Sequence, residues 1–168
     1  MYKPAQFALL ALTALAAAAV VPGIAPTVAG QSPATSLPAS YVAAADLAAA
    51  LKKATAANPA MSTANIKNSD QYRINIVRRG KGAGALAHVP GTELHYILDG
   101  AGTIVTGGRI IRPTGGAGGT ATIDGGETRH VAKGDAVLVP EGTPHWYKDV
   151  EGSITYLEVR FNVPVSSQ

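Results

Sequence analysis

The chain has 168 residues, a net charge of +3 and no cysteine, and its charged residues amount to only 15%. The lack of cysteine excludes disulfide bonds, zinc–thiolate sites and cysteine nucleophiles. The hydrophobic fraction of 46% excludes a disordered polyelectrolyte, and the scattered basic residues give no support to a nucleic-acid partner.

Residues 1–30 are typical of a secretory signal peptide. Lys3 precedes an apolar stretch over 5–21, which Pro22 ends, and small residues follow near Ala29, where cleavage is expected. A membrane anchor is the alternative, because 17 residues approach the lower limit for a spanning helix. Alanine is only weakly apolar, however. The prediction is therefore a cleaved signal, a secreted or periplasmic protein and no membrane span after cleavage.

A linker and an alanine-rich helix are predicted over 31–70. The first part is rich in Pro, Ser and Thr, and 22 of the 31 alanines fall within the first 60 residues. Ser40 is a good N-cap residue for a helix over 41–57, which the following Asn-Pro pair ends. We expect this helix to pack outside the main domain, which is predicted over 71–168.

The main domain is punctuated by glycine, since 17 of 19 glycines lie at Gly80 or later. Its apolar residues alternate first at Tyr72, Ile74 and Ile76, which is typical of a half-buried strand. Turn residues separate further strand-like runs at 93–98, 103–106, 109–112, 120–123, 136–139 and 153–163. Many short strands at this spacing predict an all-β sandwich or barrel.

A histidine-containing motif lies in the segment GDAVLVPEGTPHWYKD, between Gly134 and Asp149. Five residues separate Gly134 from Pro140, and one residue lies between Pro140 and Gly142. His145 follows after two more residues, and Asp149 follows after a further three. This segment resembles the second motif of the cupin superfamily, which has the same spacing and usually ends in Asn.

A second histidine and a glutamate lie upstream, with the spacing of the first cupin motif. Five residues separate Gly80 from Leu86, and one residue separates Leu86 from His88. Four residues then lie before Glu93, and six more lie before Gly100. Leu86 stands where the family has the first histidine of its His-x-His pair.

The resemblance covers residues 80–163, about half of the chain. In detail, the segment is similar to small secreted bacterial single-domain cupins of undefined activity. Cupins are small antiparallel jelly-roll barrels, so the resemblance agrees with the strand pattern reached independently. The predicted fold class is therefore all-β, a small antiparallel jelly-roll barrel with an N-terminal helix.

Two imidazoles and one carboxylate on neighbouring strands can bind a metal ion on one face and leave other positions open. Such a set suits Fe(II), Mn(II), Ni(II) or Zn(II), and the residue types do not choose among these ions. The resemblance implies that His88, Glu93 and His145 are the metal ligands. Because Leu86 replaces the fourth ligand, metal binding should be weaker. Some cupins that lack one or more of the ligand residues bind no metal.

His95 and Tyr147 are the candidate catalytic residues. Side chains alternate along a strand, so His95 lies on the same face as Glu93. We predict that His95 is a fourth metal ligand or a proton-transfer group, and a satisfied core histidine is the alternative. Tyr147 has the same parity as His145, so we expect it to face the cavity and to be a second candidate general acid or base.

Other charged side chains are weaker candidates. Arg109, Arg112 and Arg160 are candidates for holding an acidic substrate, although arginines at strand ends are more often solvated. His130 lies between Arg129 and Val131, just before a turn, and is expected to be exposed.

Two functions are consistent with these residues. The first is a metal-dependent enzyme, of the oxygenase or the isomerase or lyase type, that acts on a small molecule in the barrel. The alternative is a non-catalytic secreted cupin that binds a small ligand, and Leu86 favours it. A homodimer that forms through the outer strands is consistent with either function. The fold itself does not choose a reaction, because one fold supports many chemistries.

Overall fold

The structure is a computed structural model, and it describes residues 38–114 and 119–162. The predicted signal peptide over 1–30 and most of the linker lie outside these residues, and the division of the chain into three parts stays a prediction. The described residues form one helix and eight strands: α1 (Ala44–Ala57), β1 (Met61–Asn68), β2 (Tyr72–Arg79), β3 (Thr92–Thr106), β4 (Arg109–Ile111), β5 (Thr122–Asp124), β6 (Glu127–Ala132), β7 (Ala136–Val139) and β8 (His145–Phe161).

The helix begins later than the sequence predicts. Ala43, which has an extended backbone, occupies the N-cap position of α1, and no side chain caps the helix. The predicted cap at Ser40 is wrong, because the Ser40 hydroxyl is bonded to the hydroxyl of Tyr72 instead. The helix ends as predicted before Asn58 and packs on β1 and β2 without burying any of its own residues. In the described ranges, no helix is long and apolar enough to span a membrane.

The strands form one antiparallel sheet and a separate ribbon. The order in the sheet is β1-β2-β8-β3-β6, with β7 also paired to β3, and β4 and β5 pair with each other as a two-stranded ribbon. All pairs are antiparallel. The sheet curves around a core cluster of Val77, Ile97, Ile104, Val131, Tyr147, Ile154 and Tyr156. The predicted all-β jelly-roll barrel with an N-terminal helix is confirmed.

The structure contains two strands, β1 and β6, that the sequence pattern does not predict. The sheet begins with β1 at Met61, inside the segment 31–70 that the sequence assigns to the linker and helix. Strand β1 is an edge strand with polar side chains, and its buried residue is Ser62, whose hydroxyl donates to the Asn58 carbonyl at 2.6 Å. In β6, Val131 is the one fully buried residue. Neither strand therefore shows the apolar alternation by which strands are recognised.

The two longest strands, β3 and β8, hold the barrel together. They pair over almost their whole length, with three irregularities in register. The predicted strands 93–98 and 103–106 are parts of β3, because Gly100 and Gly102 lie within the strand rather than in a turn. A Cβ on Gly102 would lie 2.6 Å from the Asp149 carbonyl oxygen of β8. These glycines therefore allow the two strands to approach closely.

The close approach of β3 and β8 can be tested by substitution at Gly100. Gly100 has a φ of +77°, and an added Cβ would lie 1.9 Å from the Ser153 carbonyl oxygen. Gly152 is a matched control, because its φ is +70° but no atom lies within 4 Å of its added Cβ. Gly152→Ala should cost about 1–2 kcal/mol for the left-handed backbone. Gly100→Ala should cost about 1–3 kcal/mol more, because the strands must separate.

Urea unfolding of both variants measures this difference. Equal losses of unfolding free energy in Gly100→Ala and Gly152→Ala would contradict the close contact between the strands.

Candidate metal centre

Glu93 lies on the inner face of β3 and is only 1% exposed. Two groups approach its Oε1 atom, His88 Nε2 at 3.3 Å and Arg160 Nη2 at 2.7 Å. Two others approach its Oε2 atom, His95 Nε2 at 3.1 Å and His145 Nε2 at 3.4 Å. A buried carboxylate is costly unless it is paired, and this one lies among four nitrogen-bearing side chains.

The backbone fixes His145 against the segment that precedes β3. Leu86 and His145 form an isolated bridge, in which each N–H donates to the other's carbonyl at 3.1 and 2.8 Å. Nδ1 of His145 lies 3.1 Å from the Thr143 carbonyl oxygen. Because a carbonyl only accepts, Nδ1 carries the proton of the neutral ring. The lone pair is then on Nε2, which faces Glu93 and is free to bind a metal ion.

The turn before β8 is fixed to His88. The N–H of Gly142, which has a φ of +74°, donates to the His88 carbonyl at 2.9 Å. The His88 side chain is 33% exposed, whereas that of His145 is 6% exposed. His88 therefore lies at the outer side of the centre, and His145 lies at its inner side.

The protonation states suit a metal ion. Burial lowers the pKa of His88 and of His145, and it outweighs the opposing charge of Glu93. Burial alone would raise the pKa of Glu93, but the hydrogen bond from His95 and the positive charges of its neighbours hold that pKa below its usual value. At neutral pH the centre thus has one carboxylate and two neutral imidazoles, the forms in which these groups bind metals.

The donor atoms converge sufficiently for one ion. Single ligand atoms of His88, Glu93 and His145 lie within 4.8 Å of one another, and Glu93, His95 and Glu158 form a second such group. Oε1 of Glu93 is buried, and its nearest group is the positively charged Arg160 Nη2 at 2.7 Å. Two imidazole nitrogens and a carboxylate oxygen are donor types that first-row divalent ions accept. The His88–Glu93–His145 cluster therefore fits a divalent ion.

His95 is buried on the inner side of Glu93. Its Nε2 lies 3.1 Å from Glu93 Oε2, and its Nδ1 lies 3.2 Å from the Tyr147 hydroxyl. The carboxylate only accepts, so Nε2 carries a proton and donates it, and in the neutral ring Nδ1 accepts from the tyrosine. In this state His95 orients Glu93 and has no lone pair toward an ion. A role for His95 as a fourth ligand stays a prediction, and it requires loss of the Nε2 proton.

Aromatic side chains and an arginine fill the barrel behind His95. Tyr147 stacks on Tyr156 at 5.1 Å between ring centroids, and the Arg79 guanidinium lies 5.1 Å from the Tyr147 centroid. Arg79 Nε donates to the Tyr156 hydroxyl at 2.8 Å. Burial raises the pKa of Tyr147 well above its usual value and that of Tyr156 to about 12. Tyr147 faces the interior as expected and keeps its proton, and its catalytic role stays a prediction.

No protein-family model matches the sequence, and no curated protein matches it. Among solved structures, the chain is similar to a conserved Streptococcus pyogenes protein of unknown function, with 21% identity, 62% of this chain and 76% of that chain covered, and a TM-score of 0.46.

Two further structures show the same likeness. The cupin domain of Schizosaccharomyces pombe Cnp3 is 12% identical, with 61% of each chain covered and a TM-score of 0.48. The DMSP lyase DddQ from Ruegeria pomeroyi is 19% identical, with 64% of this chain and 49% of that chain covered and a TM-score of 0.46. The chain thus spans about half the length of DddQ and about three fifths of the Cnp3 domain structure.

Both sequence motifs meet at one point inside an antiparallel barrel. Leu86 of the first motif pairs with His145 of the second, and His88 pairs with Gly142. This arrangement is the one that the resemblance to the cupin superfamily implies. In this chain, the replacement of the first motif histidine by Leu86 leaves the backbone pairing at that position intact.

Of the other charged candidates, all but one lie apart from the candidate metal centre. His130 is exposed as predicted and pairs with Glu151 at 2.9 Å. Arg109 pairs with Asp124 on the surface, and Arg112 is exposed. Arg160 is the exception, because it is the direct partner of Glu93 in the pairing of β3 with β8. The sequence contains no signal for this contact, since it depends on the strand register.

Removal of either inner tyrosine hydroxyl should destabilise the barrel, by different amounts. Tyr156→Phe leaves the buried, charged Arg79 Nε without its acceptor, and we expect a loss of about 3 kcal/mol or more. Tyr147→Phe leaves only the neutral Nδ1 of His95 unpaired, and we expect a loss of about 1–3 kcal/mol. Urea unfolding checks the order, and a larger loss in Tyr147→Phe would contradict it.

Proposed function

We propose that this chain is a mononuclear metal-binding cupin that acts as an enzyme on a small molecule. His88, Glu93 and His145 hold a divalent ion, and Fe(II), Mn(II), Ni(II) and Zn(II) are the candidates. The observation that carries the proposal is the convergence of two neutral imidazoles and one ionised carboxylate, with single ligand atoms of the three residues within 4.8 Å of one another. Three protein ligands leave coordination positions for a substrate.

The residues around the ligands support oxygenase, isomerase or lyase chemistry without choosing among them. When bound, the ion would supply Lewis-acid or redox chemistry. Thr143 directs Nε2 of His145 toward the centre, and His95 orients the carboxylate of Glu93. His95 and Tyr147 hold two protons in one hydrogen-bonded chain that ends at Glu93, which makes them the candidate general acid and base. Their burial excludes water from that chain.

A second candidate function is the capture of a small ligand without catalysis. Leu86 offers no ligand atom, and the guanidinium of Arg160 lies 2.7 Å from Glu93, where it competes with an ion for the carboxylate. Exposed Leu138 on β7, a strand at the edge of the sheet, supports a homodimer through the outer strands in either function. Metal content separates the two functions.

The metal proposal predicts about one ion per chain after reconstitution with Fe(II), Mn(II), Ni(II) or Zn(II) in turn. His145→Ala and His88→Ala each remove one of three ligands, so we expect the affinity to fall at least about 10-fold. His130→Ala is the matched control, because His130 is 59% exposed and pairs with Glu151 away from the centre. Elemental analysis with a competing chelator measures the affinity.

Two results would contradict the metal proposal. The first is a wild-type chain that retains none of the four ions. The second is a His145→Ala variant that binds as tightly as His130→Ala. A metal-free chain that still binds an organic ligand would support the capture function instead.

We also propose that residues 1–30 are a cleaved export signal and that the mature chain is secreted or periplasmic. The apolar stretch over 5–21, with Lys3 before it and Pro22 after it, supports this. Expression of the full chain in a bacterial host should give a mature protein that begins near Gly30, as read by N-terminal sequencing of the extracytoplasmic fraction. Recovery of the chain with Met1 in the cytoplasm would contradict it.

A further inference from the structure

A cavity of about 270 Å³ lies beside the metal centre. His88 and Arg160 line it, and both also contact Glu93, so the cavity and the centre share a wall. The cavity is therefore the space from which a small molecule can reach the outer side of the centre. The volume corresponds to about nine water molecules, which limits an occupant to about ten non-hydrogen atoms.

Arg160 has hydrogen-bonding capacity that its protein contacts leave unused. Its side chain is 22% exposed, and its Nη2 atom makes the ionic contacts to Glu93 at 2.7 Å and to Glu158 at 3.7 Å. Nε is buried with no hydrogen-bond partner among the described residues. A guanidinium has five N–H donors in a rigid fork, so one nitrogen in ionic contact leaves most of the group free for a second anion.

With a divalent ion at the centre, the charge around the cavity favours an anion. Arg73 lies in the wall with Arg160, and Asp70 is the opposing acidic residue there. A divalent ion at the centre would add two positive charges, against Glu93 and Glu158. Positive charge is then in excess at the boundary between the cavity and the centre. A carboxylate neutralises it and matches the planar fork of an arginine.

Four uncharged polar side chains of the wall are suited to hydroxyl groups, beside the apolar Val89, Pro90 and Phe161. Asn68, Ser69, Gln71 and Asn162 line the cavity, and amide and hydroxyl side chains both donate and accept hydrogen bonds. We propose that this cavity binds small hydroxylated carboxylates, with the carboxylate on Arg160, which makes Arg160 the residue that selects the substrate class. The inference deepens the proposed function and rests on it, because the same ligand reaches the metal centre past His88.

Paired probes test this assignment. D-Glycerate and D-erythronate are compared with glycerol and erythritol, which replace the carboxylate by an uncharged alcohol. Calorimetric titration uses the purified chain, both with the ion that it retains and after chelation. We expect the carboxylates to bind the ion-loaded chain at least 10-fold more tightly than the alcohols. Arg160→Met should lower carboxylate affinity at least 10-fold and leave alcohol affinity unchanged.

The controls separate recognition from folding. Arg109→Met is the same change at an exposed ion pair on the β4–β5 ribbon, and it should bind like wild type. Arg160→Lys keeps the charge but not the fork, so it should retain a preference for carboxylates with several-fold weaker affinity. If Arg160→Met does not fold, as judged by circular dichroism, Arg160→Lys carries the test, and wild-type carboxylate affinity in it contradicts the role of the fork.

The outcomes distinguish this inference from the proposed function. Equal affinity of wild type for carboxylates and alcohols overturns the inference, as does unchanged carboxylate affinity in Arg160→Met. Elemental analysis of the same samples reports on the ion. A chain that is metal-free after reconstitution but prefers carboxylates contradicts the metal-dependent function and supports the recognition by Arg160. A metal-loaded chain without preference contradicts only the recognition.

Discussion

The ionised carboxylate of Glu93, buried inside the barrel, is the constraint on which the rest of the structure depends. An isolated carboxylate in such a place costs several kcal/mol, so the fold must bring compensating groups to it. They come from three parts of the chain: the segment before β3, β3 itself, and both ends of β8. The carboxylate is satisfied only when β3 and β8 pair along their whole length. Assembly of the barrel and assembly of the centre are therefore one event.

The two oxygens of Glu93 have different surroundings, and this allows one residue to serve both stability and function. Oε2 faces the interior, where His95 donates to it and the aromatic residues of the core support His95 in turn. Oε1 faces His88 and Arg160, which border the cavity. The inner side fixes the orientation of the carboxylate, so the outer side presents a preoriented oxygen to an ion.

The sequence predicts the ligand cluster better than its surroundings. The resemblance carried by the motif spacing implies His88, Glu93 and His145 as ligands, and the structure brings the three together. Alternation along one strand correctly places His95 beside Glu93. The sequence likewise predicts strand β7 with its observed bounds, since an apolar run lies between two turns.

Longer-range relations are not predictable in this way. Alternation from His145 correctly places Tyr147 inside, but the same parity would direct Leu157 and Val159 inward. The register irregularities between β3 and β8 reverse it, so Tyr156 is the buried residue instead. A shift of one residue exchanges the two faces of a strand. Arg160, the partner of Glu93, could not be found without that register.

Leu86 and Arg160 together lower the affinity of this centre for a metal ion that binds without an anion. Leu86 keeps the backbone bridge to His145, so the fourth ligand is missing while the other three stay in place. Arg160 adds a positive charge on the same carboxylate oxygen that faces His88. Both features weaken the binding of a cation by itself. In the proposed complex, an anion on Arg160 offsets that charge and restores the affinity for the ion, and by linkage the ion raises the affinity for the anion equally. Ion and ligand then bind cooperatively, through the shared carboxylate of Glu93.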